Sequence, residues 1–121
     1  MKLRGSILLA CVALVLAGCA GQNKYERQAD QITQAVVNND LRPVQSDLAP
    51  GIKISRVQVA EWSDELSAQG KLESVKESKD CAPGWHCFTV KFEKRNYLER
   101  MRLDENGKVT NWAFHAAPQA S

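Results

Sequence analysis

The spacing of hydrophobic positions along this chain changes near residue 70. Before it, apolar residues recur every three to four positions. Tyr25, Ala29, Ile32 and Val36 stand at i, i+4, i+7 and i+11. That is one face of a 3.6-residue repeat, and it predicts a helix over residues 24–38. Glu26, Arg27, Asp30, Gln31 and Gln34 fall largely elsewhere on the wheel, and Asn38-Asn39-Asp40 ends the run. Pro43 fits the first turn of a short second helix carrying Val44 and Leu48, which stops at Pro50-Gly51. Ile52 and Ile54 make a brief extended stretch. Ser55 then reads as an N-cap, with Gln58 three residues on completing a capping box. The third helix is expected to bury Val59, Trp62 and Leu66, with Gly70 as its C-terminal stop.

After Gly70 the pattern alternates. Lys71–Ser78 predicts a strand in which Leu72 and Val75 are out of register by one, so a bulge is expected between them. Phe88, Val90 and Phe92 alternate with Thr89, Lys91 and Glu93. Arg95-Asn96 reads as a short turn. Tyr97, Glu99, Met101 and Leu103 then alternate with Leu98, Arg100 and Arg102. Asp104-Glu105-Asn106-Gly107 predicts a hairpin turn, with glycine where positive φ is needed. The last strand, Lys108–His115, places Trp112 and Phe114 on one face and Asn111, Ala113 and His115 on the other. Short connections make consecutive strands antiparallel neighbours. The expected fold class is α+β, with three N-terminal helices packed on one face of a four-stranded antiparallel sheet.

The helices, the Gly70-Lys71-Leu72 start to the first strand, and the Asp104–Val109 hairpin before an aromatic last strand together resemble the NTF2-like (cystatin-like cone) superfamily. The resemblance covers about residues 24–115. It implies a curved sheet and a partial cone with a small apolar opening for a ligand. It also implies a possible homodimer through the open sheet face. Small bacterial lipoproteins of unknown function in that group have a similar arrangement. Enzymes of the group place acids and tyrosines deep in a roomier cone. This chain is shorter than they are, and Tyr25 and Tyr97 are its only tyrosines.

Residues 1–19 have a different organisation. Lys2 and Arg4 make a short positive region, Ile7 to Ala17 is apolar and uncharged, and Leu16-Ala17-Gly18-Cys19 closes it. The apolar run is too short to span a bilayer, which takes about 20 residues, and the layout is that of a secretory signal. The closing tetrapeptide resembles the bacterial lipobox. That resemblance implies a thioether-linked diacylglycerol on Cys19, cleavage before it, and acylation of the new amino terminus. The alternative is an ordinary secretory peptide cut at Ala17 or Ala20. Two or more acyl chains anchor a protein stably. Ala20 follows the cysteine, which resembles the pattern of lipoproteins sorted to an outer membrane where the cell has one. The expected organisation is a signal peptide over 1–18, a lipidated tether over 19–24, one domain over 25–115 and a fraying tail over 116–121. The expected location is the cell envelope, on the periplasmic face of the outer membrane in a Gram-negative cell.

Charge and cysteine usage follow from that division. Without Lys2 and Arg4, 14 basic residues face 14 acidic ones, so the formal charge of +2 belongs to the signal. No basic block remains, and nucleic acid is not an expected partner. Cys11 leaves with the signal and Cys19 takes lipid, so Cys81 and Cys87 are free to pair in an oxidising compartment. They bracket Ala82-Pro83-Gly84-Trp85-His86, where Pro-Gly favours a turn. A disulfide is the main reading. A metal site using Cys81, Cys87, His86 and His115 is the alternative, and the Cys-x₅-Cys spacing lacks the second close pair of structural zinc sites. No metal or cofactor is expected.

Candidate functional residues are few. Trp62, Tyr97, Trp112 and Phe114 could line a pocket between helices and sheet; in a domain of about 100 residues they serve more simply as core. His86 and His115 could act as bases, with Glu99 or Asp104 as partners, but nothing in the spacing places either acid beside a histidine. Arg95, Arg100 and Arg102, with Lys91 and Lys94, could form a basic stripe facing anionic lipid or an acidic partner, or a solvated face balanced by Glu93 and Glu99. No catalytic residue is assigned. The expectation is a non-catalytic, membrane-anchored binding or interaction domain, whose partners are the membrane through Cys19, an envelope protein, or a second copy. The alternatives are a small-molecule-binding cone and, last, an enzyme on the same fold.

Overall fold

The computed structural model describes residues 21–118. The expected signal peptide, Cys19 with its expected lipid, and the last three residues lie outside the described residues.

Helix α1 spans Lys24–Val37. Its start is fixed by a full capping box that the sequence reading did not anticipate. The Asn23 side chain accepts from the Glu26 amide (2.8 Å), and the Glu26 carboxylate accepts from the Asn23 amide (3.1 Å). The helix buries Ala29, Ile32 and Val36, as the spacing predicts, and also Thr33 and Ala35. It stops at Asn38; the next residue, Asn39, has a φ of 54°, a left-handed conformation that asparagine tolerates better than most.

The expected second α-helix is a correction. Arg42–Asp47 forms a six-residue 3₁₀ segment instead, so among the described residues the layer has two α-helices rather than three. Pro43 removes an amide donor, no side chain caps the start, and Val44 alone of the six is buried. With so little apolar surface to bury, nothing draws the segment into a longer helix. Its exit runs along the edge of the sheet. Leu48 bridges Val109 in parallel, the Ala49 amide donates to the Val109 carbonyl (2.9 Å), and Lys108 Nζ donates to the Ser46 carbonyl (2.7 Å). This covers the start of an otherwise open edge strand.

Helix α2 spans Arg56–Ser67. Ser55 caps it by accepting from the Gln58 amide (3.0 Å), which is one half of the expected capping box. Gly70 then turns the chain into the sheet with a φ of +85°; a Cβ there would lie 2.9 Å from the Glu93 Cβ.

Strands β1 (Leu72–Ser78), β2 (His86–Phe92), β3 (Asn96–Leu103) and β4 (Val109–Ala116) form one antiparallel sheet in the order β1-β2-β3-β4. The expected bulge is present, as a register shift between Leu72 and Ser74. A second shift, at Arg102/Leu103, was not legible in the alternation. The strand continues past His115: Ala116 pairs with Tyr97, and the Ala117 amide donates to the Asn96 carbonyl (3.0 Å), so the tail is tied in at its start. The inner face carries Val75, Phe88, Val90, Phe92, Tyr97, Glu99, Met101 and Phe114, which with α1, Val44 and Leu66 make the core.

Candidate functional site

The four residues singled out as pocket lining converge, but on one another. Tyr97 stacks on Phe114 (centroids 5.3 Å, 22° between planes). Trp112 stacks on the same ring at 5.6 Å. Trp62, from α2, meets Phe114 (4.9 Å) and Tyr97 (5.9 Å) edge-on, and Phe92 meets Tyr97 edge-on at 5.7 Å. These are the offset and T-shaped arrangements that aromatic quadrupoles favour. Tyr97 is fully buried except for its hydroxyl contact, which donates to Glu65 Oε2 (2.8 Å) at the rim. Desolvation and the neighbouring Glu65 carboxylate push the phenol up to about 12. The space a cone would enclose is therefore occupied by rings.

The buried carboxyl of the domain is Glu99, in the middle of β3 and 1 % exposed. Trp112 Nε1 donates to its Oε2 (2.7 Å). Thr33 Oγ1 lies 2.8 Å from its Oε1 and also 2.8 Å from the Ala29 carbonyl. A hydroxyl has one hydrogen. A neutral Glu99 that donates to Thr33, while Thr33 donates to Ala29, gives each polar group of this small network a partner. Burial acts the same way and pushes Glu99 up to about 7, against the lowering effect of Trp112 and Thr33 and with a smaller push from Asp30. The network is sealed. Glu99 stands beside neither histidine, in line with the spacing.

A second polar network closes the opposite end of the sandwich. Glu77 on β1 receives a hydrogen bond from Asn23 Nδ2 (3.0 Å), and its own amide donates to Glu26 Oε2 (2.7 Å). Its other oxygen lies 3.0 Å from His86 Nδ1, and the imidazole stacks on Tyr25 at 4.1 Å. His86 opens β2 rather than sitting at a turn tip. It is bound to a carboxylate and an aromatic ring, whereas His115 lies exposed on the outer face. Neither histidine belongs to a metal-binding group; among the described residues no three His, Cys, Asp or Glu side chains cluster to hold an ion. The two sulfurs of Cys81 and Cys87 are 2.02 Å apart, a disulfide across the β1–β2 loop.

The expected basic stripe divides into two places. Arg95 turns inward over the Tyr97 ring (5.8 Å). Arg100 and Arg102 project from the outer face and lie over Trp85 of the disulfide loop, at 4.8 and 5.2 Å. The sequence reading grouped all three in one outer stripe, though alternation covers only Arg100 and Arg102. Arg95 departs because it sits in the β2–β3 connection, before β3 begins at Asn96.

The open concavities lie outside the core. The largest of those described, about 980 Å³, runs between the end of α1, the 3₁₀ segment and the start of α2, and includes Asn38, Asp40, Arg42, Leu48, Ile54 and Val59. Arg42 donates to both Asp40 oxygens (2.9 Å each), and these bonds hold the Asp40 carboxyl at about 2. Sequence reasoning missed this groove, because residues of three separate elements meet there. Among the described residues no helix is long and apolar enough to cross a membrane.

No protein-family model matches the chain. No curated protein matches it either. Among solved structures it is similar to a SnoaL-like protein of unknown function from Burkholderia thailandensis, with 15% sequence identity and a TM-score of 0.48; the match covers 80% of this chain and 98% of that one. Nothing about activity or ligand follows from so distant a likeness.

Proposed function

We propose that the chain is a lipid-anchored, extracytoplasmic binding domain of NTF2-like type, without catalytic activity. The filled interior carries this reading. Trp62, Tyr97, Trp112 and Phe114 pack on each other, and Glu99 is sealed under Thr33 and Trp112. Catalysis on a cone fold needs an ionisable group that reaches substrate. Here the buried acid faces only its own chain, so recognition falls to outer surfaces. The lipobox at Leu16–Cys19 supports the anchor, and the Cys81–Cys87 bond suits an oxidising compartment.

A second reading is favoured by the groove beside Asp40 and Arg42, which is large enough for a small polar ligand. Both readings meet in one experiment. The full chain is exported in a bacterial host, extracted from membranes and weighed intact by native mass spectrometry. A chain beginning at a triacylated Cys19, two hydrogens lighter for the disulfide and free of adduct, is the expected result. A retained small molecule redirects the reading to the groove. An unlipidated chain in the soluble fraction overturns the anchor, and turnover of any substrate abolished by Glu99→Gln overturns the non-catalytic assignment.

A further inference from the structure

The start of α1 and the outer arginines lie at the same end of the molecule. Gly21 follows Cys19 by two residues, and two residues span at most about 7 Å of backbone, so under the proposed anchor the attachment point is close to Gly21. Gly21 leads at once into the Asn23 cap of α1. Asn23 and Glu26 are hydrogen-bonded to Glu77, Glu77 holds His86, and His86 stacks on Tyr25. These contacts pin the start of α1 against the β1–β2 connection. The next residue back along that loop is Trp85, the ring under Arg100 and Arg102.

Two guanidinium groups on one tryptophan, without an anion, is an unfinished arrangement. Neither arginine has a carboxylate within 4.0 Å among the described residues, where the ion pairs are Arg42–Asp40, His86–Glu77 and Lys91–Glu73. Lys76 on β1 and Lys79 and Asp80 in the loop after it are exposed. The adjacent β3–β4 hairpin carries Asp104 and Glu105. The Asp104 carboxylate is engaged at home, accepting from the amides of Asn106 (2.9 Å) and Lys108 (3.0 Å). A planar guanidinium matches a phosphate with two parallel hydrogen bonds, and tryptophan settles at the headgroup level of a bilayer.

We propose that Trp85, Arg100 and Arg102 form a docking face for anionic phospholipid headgroups, which seats the domain in one orientation on the leaflet that holds its own lipid. The proposal rests on the lipid anchor proposed above. The anchor keeps the face at high local concentration, so a weak interaction suffices to hold it down. The disulfide and the Glu77–His86 contact hold the loop in the geometry that presents the ring. The opposite face, with the Asp40–Arg42 groove among its features, stays turned away from the α1 N-terminus and open to other ligands.

The test uses the full-length lipidated protein, reconstituted into vesicles of phosphatidylethanolamine with a minority of phosphatidylglycerol, which gives the surface a negative potential. Lipids brominated near the top of the acyl chain quench tryptophan at headgroup depth. The expected result is quenching that Trp85→Phe removes, that high salt relieves, and that drops when phosphatidylglycerol is omitted. Each of Arg100→Gln and Arg102→Gln lowers the docked-to-free ratio about fivefold. Intact mass and circular dichroism show that each variant keeps its disulfide and fold; should one variant misfold, the other and the salt dependence decide. A lipidated protein that floats with the vesicles while Trp85 stays unquenched overturns the docking face and leaves the anchor standing. A chain that neither carries lipid nor floats overturns the anchor, and the docking face with it.

Discussion

The two ends of this helix–sheet sandwich are closed by different means. At the end beneath α2, aromatic rings close it: Trp62 comes down onto Tyr97 and Phe114, with Phe92 and Trp112 around them. At the end beneath the start of α1, polar contacts close it: Asn23, Glu26, Glu77 and His86 tie helix to sheet, and the disulfide ties β1 to β2. The difference follows from coverage. Trp62 excludes water from the first end, and burial of large rings then supplies the stability. The first turn of α1 leaves the second end half exposed, where an apolar patch would face solvent and hydrogen bonds between partners in place are the workable closure. Rings make a stable but undifferentiated floor. A polar closure with a short crosslinked loop holds a particular surface in a particular shape, and that is the end where the proposed docking face lies.

The comparison can be broken most sharply at the rings. Phe114→Ala removes a ring that touches Trp62, Tyr97 and Trp112, and is expected to cost about 3–5 kcal/mol in urea unfolding. A loss under about 1 kcal/mol would mean the aromatic end is looser than its geometry implies.

Between the two ends sits Glu99, and it sharpens the comparison through pH. Its carboxyl is raised from 4.5 to about 7 on folding. In that window the folded protein binds a proton that the unfolded chain releases, so stability falls as pH rises from about 4.5 to 7. The full effect is about 3 kcal/mol. Glu99→Gln keeps the neutral shape, and is expected to flatten the stability–pH curve over that range and to exceed the natural protein's stability at pH 8. A parallel pair of curves would show that Glu99 does not carry the dependence.

At the polar end the effects are smaller. Removing the disulfide with Cys81→Ser and Cys87→Ser together is expected to cost about 2 kcal/mol by the loop-entropy argument, read as a shift of the urea midpoint. Glu77→Ala, which frees His86 and Asn23 at a half-buried site, is expected to cost about 1 kcal/mol. A greater loss from Glu77→Ala than from Phe114→Ala would reverse the whole picture of which closure bears the stability.

Much of the layout was legible from periodicity. Both α-helices, all four strands, the bulge after Leu72 and the hairpin at Asp104–Gly107 follow from the spacing of apolar residues and from turn chemistry, because those signals are local. The 3₁₀ segment was read as a helix because Pro43 and two apolar residues satisfy the start signals without showing how little surface the segment would bury. Arg95 was assigned to the wrong place because alternation says nothing of a residue in a connection.

Residue identity along the chain was enough to determine the change from helical to alternating period and the neutral balance beyond Arg4, and it made a Cys81–Cys87 bond the main reading that the structure then supplied. Each of these depends on neighbours in sequence or on counting. Only the tertiary structure decided that Trp62, Tyr97, Trp112 and Phe114 fill space rather than line it, and that Glu99 meets Thr33 across 66 positions of sequence. It also decided that Arg100 and Arg102 share Trp85 of the disulfide loop. Those outcomes turn on which faces of distant segments meet, and on how much water they exclude when they do.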